Sequence, residues 1–364
     1  MTPGVRADAV VVDSVVKQFG QTMALAGVSC AIHTGELFGF IGPDGAGKTT
    51  LFRILATLLV PDRGGARVLG EDVVDRLWSL RTRVGYMPGR FSLYQDLSVE
   101  ENLRFFASVF GTTLEREHDR IAPIYRQLEA FRTRRAGALS GGMKQKLALC
   151  CALVHRPEIL FLDEPTTGVD AVSRREFWDL LSQLKAGGLT AVVSTPYMDE
   201  ANRCDRVALI QRGRLLAVDT PDAIARSFDR PLVAVHSANR YETLRALRDY
   251  PHTHTVYPFG ETLHYTDART DVSLEQIVRE VRAFLETRGV PQVAGVPRAI
   301  ESRAGASLHI KSIPATVEDT FMARMGPETA PHSADPTRPT VPTDSTRQRH
   351  SSDPTDPTRS ETAT

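Results

Sequence analysis

The sequence predicts an α/β fold with a parallel sheet at its centre, on three observations. Short apolar, β-branched runs at residues 10–12, 37–41, 159–162 and 190–194 read as strands, and several lack the alternation of a half-exposed strand, so both faces are buried. Helical patterns lie between them, as at Leu51, Ile54, Leu55 and Leu58. Buried strands alternating with helices imply crossover connections and parallel pairing. Finally, 41 % hydrophobic and 24 % charged residues are ordinary for a soluble globular chain, and 364 residues leave room for more than one domain.

Composition divides the chain into zones. Residues 7–229 carry the α/β alternation, and a helix-rich insertion at about 90–155 interrupts it. Within that insertion, residues 100–110 present Leu103, Phe106 and Phe110 on one face, and residues 121–131 form a second helical stretch. Residues 230–325 read as a small α+β unit. Its predicted strands are 231–236, 253–257 and 263–265, and its predicted helices are 241–247 and 274–285, the second capped by Ser273. From Gly326 the chain is dominated by Pro, Thr, Ser, Asp and Arg. It has too little apolar surface to offset its ordering entropy, which predicts a disordered tail.

Other features narrow the function classes. The formal net charge is zero, so no global field draws the chain to nucleic acid, and no nucleic acid partner is expected. No apolar run reaches the roughly 18–20 residues of a membrane span. The start of the chain has no basic segment followed by an apolar one, so no secretory signal is expected. Cys30, Cys150, Cys151 and Cys204 lack metal-ligand spacing and read as buried thiols of a reducing compartment.

Chemistry concentrates first at Gly42-Pro43-Asp44-Gly45-Ala46-Gly47-Lys48-Thr49, followed by Thr50, which fits G-x-x-x-x-G-K-[ST]. The motif follows a predicted strand and precedes a predicted helix, the context it requires. Its glycines let backbone N–H groups turn inward to form an anion cradle at a helix N-terminus. Lys48 is then expected on the β- and γ-phosphates of ATP, and the Thr49 hydroxyl on Mg²⁺. Downstream, the apolar run at 159–162 ends in Asp163 and Glu164. In company with a phosphate loop, such an Asp holds the magnesium shell, and the following Glu is the candidate catalytic residue, polarising the attacking water.

Between these elements stands Leu139-Ser140-Gly141-Gly142-Met143-Lys144-Gln145-Lys146, just before an apolar helix. With this third element in order, residues 7–229 resemble the ATP-binding cassette (ABC) ATPases. The resemblance implies a P-loop NTPase core with an antiparallel β edge and a helical subdomain. It also implies a head-to-tail dimer closed by ATP, in which Leu139, Ser140, Gly141, Gly142, Met143 and Gln145 of one cassette cover the γ-phosphate held by another. Thr167-Gly168-Val169-Asp170 resembles the D-loop that crosses between cassettes, and Phe19 matches the aromatic that stacks on adenine.

The sequence departs from that family at two positions. A glutamine usually follows the strand that here reads Val84-Gly85-Tyr86-Met87-Pro88, and its position holds Gly89. The family's switch histidine falls at Pro196, which offers no side-chain or backbone donor. Loss of one preorganised donor costs roughly 10²–10³ in rate, so ATP binding is expected to survive while hydrolysis at this chain's own loop slows. Tyr197 and Gln95 are neighbours that could compensate.

The stretch from Phe91 to Leu103 resembles the D-L-[ST]-V-x-E-N segment of exporter cassettes, including multidrug and antibiotic efflux systems, and Tyr197-Met198-Asp199-Glu200-Ala201 continues the likeness. Residues 314–321 resemble the last helix of the α+β extension found in such chains. The resemblance implies an ATPase subunit, peripheral at the cytoplasmic face of the cell membrane. Its partners would be an integral membrane permease subunit and a second cassette, identical or a more complete one. Two alternatives are a largely non-catalytic regulatory cassette and a soluble ABC ATPase acting on nucleic acid or ribosomes. The second is disfavoured because coiled coils, zinc modules and a second cassette are absent from this sequence.

Overall fold

The computed structural model describes residues 7–288 and 308–325. Strands β1 (Asp8–Phe19) and β2 (Thr22–His33) form an antiparallel hairpin. After β3 (Leu37–Ile41) and helix α1 (Lys48–Leu55), β4 (Arg63–Val68) and the short β5 (Glu71–Asp72) return to the hairpin, giving the sheet order β2-β1-β4-β5. Phe19 is the last residue of β1.

Helix α2 (Leu77–Arg81) leads into β6 (Val84–Met87). The helical arm follows with α3 (Val99–Val109), α4 (Leu114–Tyr125) and α5 (Gly141–Leu153). Beyond it come β7 (Ile159–Asp163), α6 (Ala171–Ala186), β8 (Thr190–Thr195), β9 (Arg206–Gln211), β10 (Arg214–Asp219) and α7 (Pro221–Arg226). The central sheet has the order β10-β9-β3-β8-β7-β6, parallel throughout except at β9–β10.

The predicted buried strands β3, β7 and β8 are buried at every position. Alternate side chains leave opposite faces of the sheet. Phe38, Phe40 and Phe161 face the antiparallel sheet and α1, where edge-to-face contacts link Phe38, Phe40, Phe52 and Phe161 at centroid distances of 5.2, 5.9 and 6.0 Å. Leu37, Ile41, Leu160, Leu162 and Val193 face the second core, shared with α5, α6 and the helical arm.

Two details of the arm differ from the sequence expectation. Phe110 does not share the buried face of Leu103. It is the C-cap of α3, is exposed, and stacks on His155 at 3.8 Å. The second helix begins at Leu114, well before residue 121, and ends at Tyr125, with a separate 3₁₀ turn at Glu129–Phe131. Its charged first turns are held by the Thr113 cap and by buried Glu117, which pairs with Arg156 at 2.5 Å.

A third sheet, β12-β13-β11-β14, is antiparallel throughout. It comprises β11 (Leu232–His236), β12 (Thr253–Phe259), β13 (Thr262–Asp267) and β14 (His309–Ser312). Helices α8 (Arg240–Arg248) and α9 (Leu274–Thr287) cover it, with Ser273 capping α9 as expected. The last described helix, α10 (Val317–Met325), starts three residues after Pro314. Its Val317 and Phe321 join the core of the central sheet rather than that of the third. The predicted disordered tail from Gly326 lies outside the described residues.

Candidate functional site

The central strand order brings the sequence motifs together. In a parallel sheet, ligands are received at the carboxyl ends of the strands. β3, β8 and β7 are adjacent, so the loop after Ile41, the residues after Thr195 and the acidic pair after Leu162 lie on one edge. The Gly42 N–H donates to the Thr195 carbonyl at 3.2 Å, tying the first two together.

The loop itself demands its glycines. Gly47 caps α1 with φ +106°, and a Cβ there would lie 2.4 Å from the Ala24 carbonyl oxygen of β2. A Cβ on Gly42 would lie 2.0 Å from the Ile210 carbonyl oxygen. Ala46 accepts from the Gly213 N–H at 2.9 Å, which docks the loop on the β9–β10 hairpin. Lys48 is buried. Its Nζ donates to the carbonyls of Gly42 (2.7 Å) and Pro43 (3.0 Å) and stands 3.2 Å from Glu164 Oε1.

Opposite the loop, Thr49 Oγ1 donates to Asp163 Oδ1 at 3.2 Å. Asp163 Oδ1 also accepts from the Ser194 hydroxyl at 2.6 Å. Glu164 adopts a left-handed φ of +50°, and its N–H is held by the Ser194 Oγ at 2.9 Å and the Ser194 carbonyl at 3.1 Å. Half-buried Tyr86 has its phenol raised by desolvation and, secondarily, by the Asp163 charge. Thr49 and Asp163 offer hard oxygen donors, the chemistry that suits Mg²⁺. Among the described residues no group of three or more His, Cys, Asp or Glu could hold a metal ion. Magnesium here would thus depend on phosphate oxygens for its remaining shell, its usual mode.

Gly89 sits beside this pair. A Cβ on it would lie 3.0 Å from the Asp163 carbonyl oxygen and 3.6 Å from Glu164 Cβ. Pro196 follows β8 directly, while the Tyr197 N–H turns back to Thr195 Oγ1 at 3.0 Å. Buried Glu200 then accepts from the hydroxyls of Thr195 (2.6 Å) and Thr166 (2.9 Å), and Arg174 lies 3.7 Å from it and 4.7 Å over the Tyr197 ring. The Gln95 backbone carbonyl accepts the Gly137 N–H at 2.9 Å.

The remaining candidates form a second group. Ser140 caps α5 and accepts from the Met143 N–H at 3.4 Å. Leu139 is buried, Ser140 and Gly141 are exposed, and Gln145 is half-buried. A Cβ on Gly142 would lie 2.6 Å from Ser173 Cβ, so this glycine lets α5 close on α6. Asp170 caps α6, and the N–H groups of Ser173 and Val172 it accepts hold its carboxyl below the ordinary value. Among the described residues no hydrogen bond or ion pair joins residues 139–146 to the loop at 42–50. Phe19, at 49 % exposure, has Lys17 Nζ 5.6 Å from its ring. Burial pushes the Cys30 thiol up to about 12 and raises Cys150, Cys151 and Cys204 too, leaving four inert thiols.

Sequence reasoning missed Ser194, Thr195 and Glu200. The available signal was a pair of hydroxyl residues, Ser194 and Thr195, directly after the apolar run at residues 191–193.

A phosphate loop facing an acidic strand end, with a helical arm carrying LSGG, defines a P-loop nucleotide-binding cassette. The profile of the family described as ABC transporter matches residues 25–167. The chain is 34 % identical over 318 residues to the Nod factor export ATP-binding protein I of Rhizobium sp. (strain N33), covering 86 % of this chain and 96 % of that protein. It is 46 % identical over 211 residues to the "Probable multidrug ABC transporter ATP-binding protein YbhF" of Escherichia coli (strain K12), covering 57 % of this chain. The match spans only 36 % of the length of YbhF. Among solved structures, a dimeric, post-hydrolysis ATP-binding cassette bound to ADP and Pi superposes with a TM-score of 0.53 at 26 % identity, covering 58 % of this chain and 98 % of that one. The chain belongs to the family of ABC transporter ATP-binding proteins.

Proposed function

We propose that this chain is the ATP-binding subunit of an ABC exporter, coupling ATP binding and hydrolysis to transport through a separate integral membrane permease. The observation that carries this is the meeting of Lys48, Thr49, Asp163 and Glu164 at one edge of the sheet. Lys48 exchanges its loop carbonyls for β- and γ-phosphate oxygens. Thr49 and Asp163 hold Mg²⁺, and Glu164 orients the attacking water. Gly42 to Thr50 supply the cradle, and Phe19 stacks on adenine.

Ser140 to Gln145, which make no hydrogen bond or ion pair to this chain's own loop among the described residues, serve the ATP of a second cassette, with Asp170 at the crossing between the two. The dimeric cassette structure supports that arrangement. Relatives named for multidrug transport and Nod factor export support an exporter. The nucleotide-binding unit is assigned to residues 7–229 with its arm at about 90–155, and the accessory unit to 230–325, whose last helix α10 returns to pack in the nucleotide-binding core. The subunit sits peripherally at the cytoplasmic face of the membrane, with no nucleic acid partner.

Gly89 and Pro196 make this chain's own site slow. Among the described residues no glutamine hydrogen-bonds the acidic pair, and proline and tyrosine, not histidine, follow β8 at positions 196 and 197. A second reading, a regulatory cassette that binds ATP without turning it over, is favoured by the same two positions. Single-turnover hydrolysis by the full chain and by Gly89→Gln/Pro196→His separates the two readings. The double variant is expected to be faster by roughly 10²–10³ for each restored donor. Gly89→Ala controls for the close Asp163 carbonyl, which must give by a few tenths of an ångström. Equal rates for wild type and double variant sink the slow-site reading. No turnover by wild type, with ATP bound, favours the regulatory cassette.

A further inference from the structure

We propose that Ser194 is a positioning residue for the metal-binding and water-orienting carboxylates, a role that rests on the nucleotide-site reading above. Parallel pairing of β7 with β8 sets Ser194 opposite Asp163. The Ser194 hydroxyl is fully buried, and its geometry uses both of its capacities. As donor it reaches Asp163 Oδ1 at 2.6 Å, and as acceptor it takes the Glu164 N–H at 2.9 Å. One hydroxyl therefore fixes the rotation of the first carboxylate and the backbone that aims the second. Alanine at this position can do neither.

Both fixed groups need such a restraint. Asp163 Oδ1 is shared between the Ser194 and Thr49 hydroxyls, so Ser194 sets the plane in which the carboxylate meets Thr49, its partner toward Mg²⁺. Glu164 stands at φ +50°, a conformation that a residue with a Cβ holds only when its surroundings impose it. The fold supplies a main-chain contact there as well, from the Glu164 N–H to the Ser194 carbonyl at 3.1 Å. Removing the hydroxyl therefore leaves the strand pairing standing and loosens the carboxylates alone. Glycine and proline at positions 89 and 196 offer the pair no side-chain donor, which leaves Ser194 and Thr49 as the hydroxyls that hold Asp163.

The test uses the full chain with Ser194→Ala, Ser194→Thr and, as a control, Thr190→Val. Thr190 is an equally buried hydroxyl on the same strand, but it accepts from Gly35 N–H at 2.9 Å, far from the acidic pair. Mn²⁺ affinity of the ATP-loaded protein is read by electron paramagnetic resonance, ATP affinity is read in chelator without metal, and hydrolysis is resolved into kcat and KM. For Ser194→Ala, Mn²⁺ affinity and kcat are expected to fall roughly 10- to 100-fold, the usual cost of losing an outer-shell partner. Metal-free ATP affinity and KM stay at the wild-type values, and Ser194→Thr restores the metal affinity. Wild-type Mn²⁺ affinity in Ser194→Ala overturns the proposal, as does an equal loss in Thr190→Val, which would mark a general effect of strand packing. A wild-type chain that binds Mn²⁺ and ATP but hydrolyses nothing removes the catalytic reading, and the role of Ser194 is then decided on metal affinity. A wild-type chain that binds no ATP removes the nucleotide reading and this role with it.

Discussion

Truncating Phe321 to alanine should destabilise the nucleotide-binding core, although Phe321 lies more than 90 residues beyond that core's last strand. Phe321 is 4 % exposed and belongs to the same buried cluster as Trp178, Leu181, Ala201 and Ile224. Helix α10 is also pinned there by hydrogen bonds from Thr320 Oγ1 to the Ile224 carbonyl (3.1 Å) and from Arg324 to the Leu216 carbonyl (2.6 Å). A buried Phe→Ala change costs roughly 3–5 kcal/mol, combining lost transfer energy with a cavity that closes only in part. For a unit of about 150–250 residues each kcal/mol moves the midpoint by about 2–4 °C. The expected fall is therefore on the order of 10 °C. The chain provides its own reporter, because Trp178 is buried in this cluster whereas Trp78 is 76 % exposed. Thermal unfolding followed by Trp178 fluorescence in a Trp78→Phe background reads the core directly. A Trp178 transition left unmoved by Phe321→Ala would refute the placement of α10 in that core.

Two further outcomes follow from local geometry. Gly47→Ala places a Cβ 2.4 Å from the Ala24 carbonyl oxygen at a φ of +106°, so the phosphate loop must shift, at roughly 1–3 kcal/mol of strain. Metal-free ATP affinity, titrated by fluorescence, should drop by about 5- to 150-fold, and wild-type affinity would contradict the steric argument. Asp319 is fully buried, with Oδ1 accepting from Tyr257 and bonded to His264 Nδ1, both at 2.6 Å, and Oδ2 accepting from Thr316 N–H and Oγ1. Burial works against its charge, but the hydrogen bonds from His264, Thr316 and Tyr257 prevail and lower its pKa. A folded-state pKa below the unfolded one gives stability that is present above about pH 4 and lost as pH falls through the folded value. Asp319→Asn should therefore cost on the order of 3 kcal/mol at neutral pH, with the gap to wild type closing on acidification. A gap in urea unfolding midpoints that stays constant from pH 7 to pH 3 would count against this.

Much of the fold was legible because the central strands are apolar without interruption. Leu37–Ile41 and Ile159–Asp163 admit few readings other than strands buried on both faces. Helix α4 was misplaced for a physical reason. Its first turns, Leu-Glu-Arg-Glu-His-Asp-Arg, show almost no apolar period, and they are held by a cap and a buried ion pair instead. The partner of α10 was illegible because the spacing of Val317 and Phe321 says that a face is buried, not against what. At the candidate site the phosphate loop could be read alone, since its motif is contiguous. Ser194 could not, because its contact with Asp163 comes from the register of β7 against β8, and register is a property of the sheet.

In the proposed function, holding a nucleotide and splitting it depend on different parts of this molecule. The cradle at Gly42 to Thr50 is made of backbone, fixed by glycines that the Ile210 and Ala24 carbonyls crowd, so side-chain replacements elsewhere leave it intact. In the proposed function the groups that act on a γ-phosphate are side chains at the ends of β7 and β8, with Gly89 close beside the first of them. In that reading Gly89 and Pro196 change the hydrolytic groups and leave the cradle in place. Binding can thus persist under sequence change while the rate moves by orders of magnitude, with Ser194 setting how much order the remaining carboxylates keep.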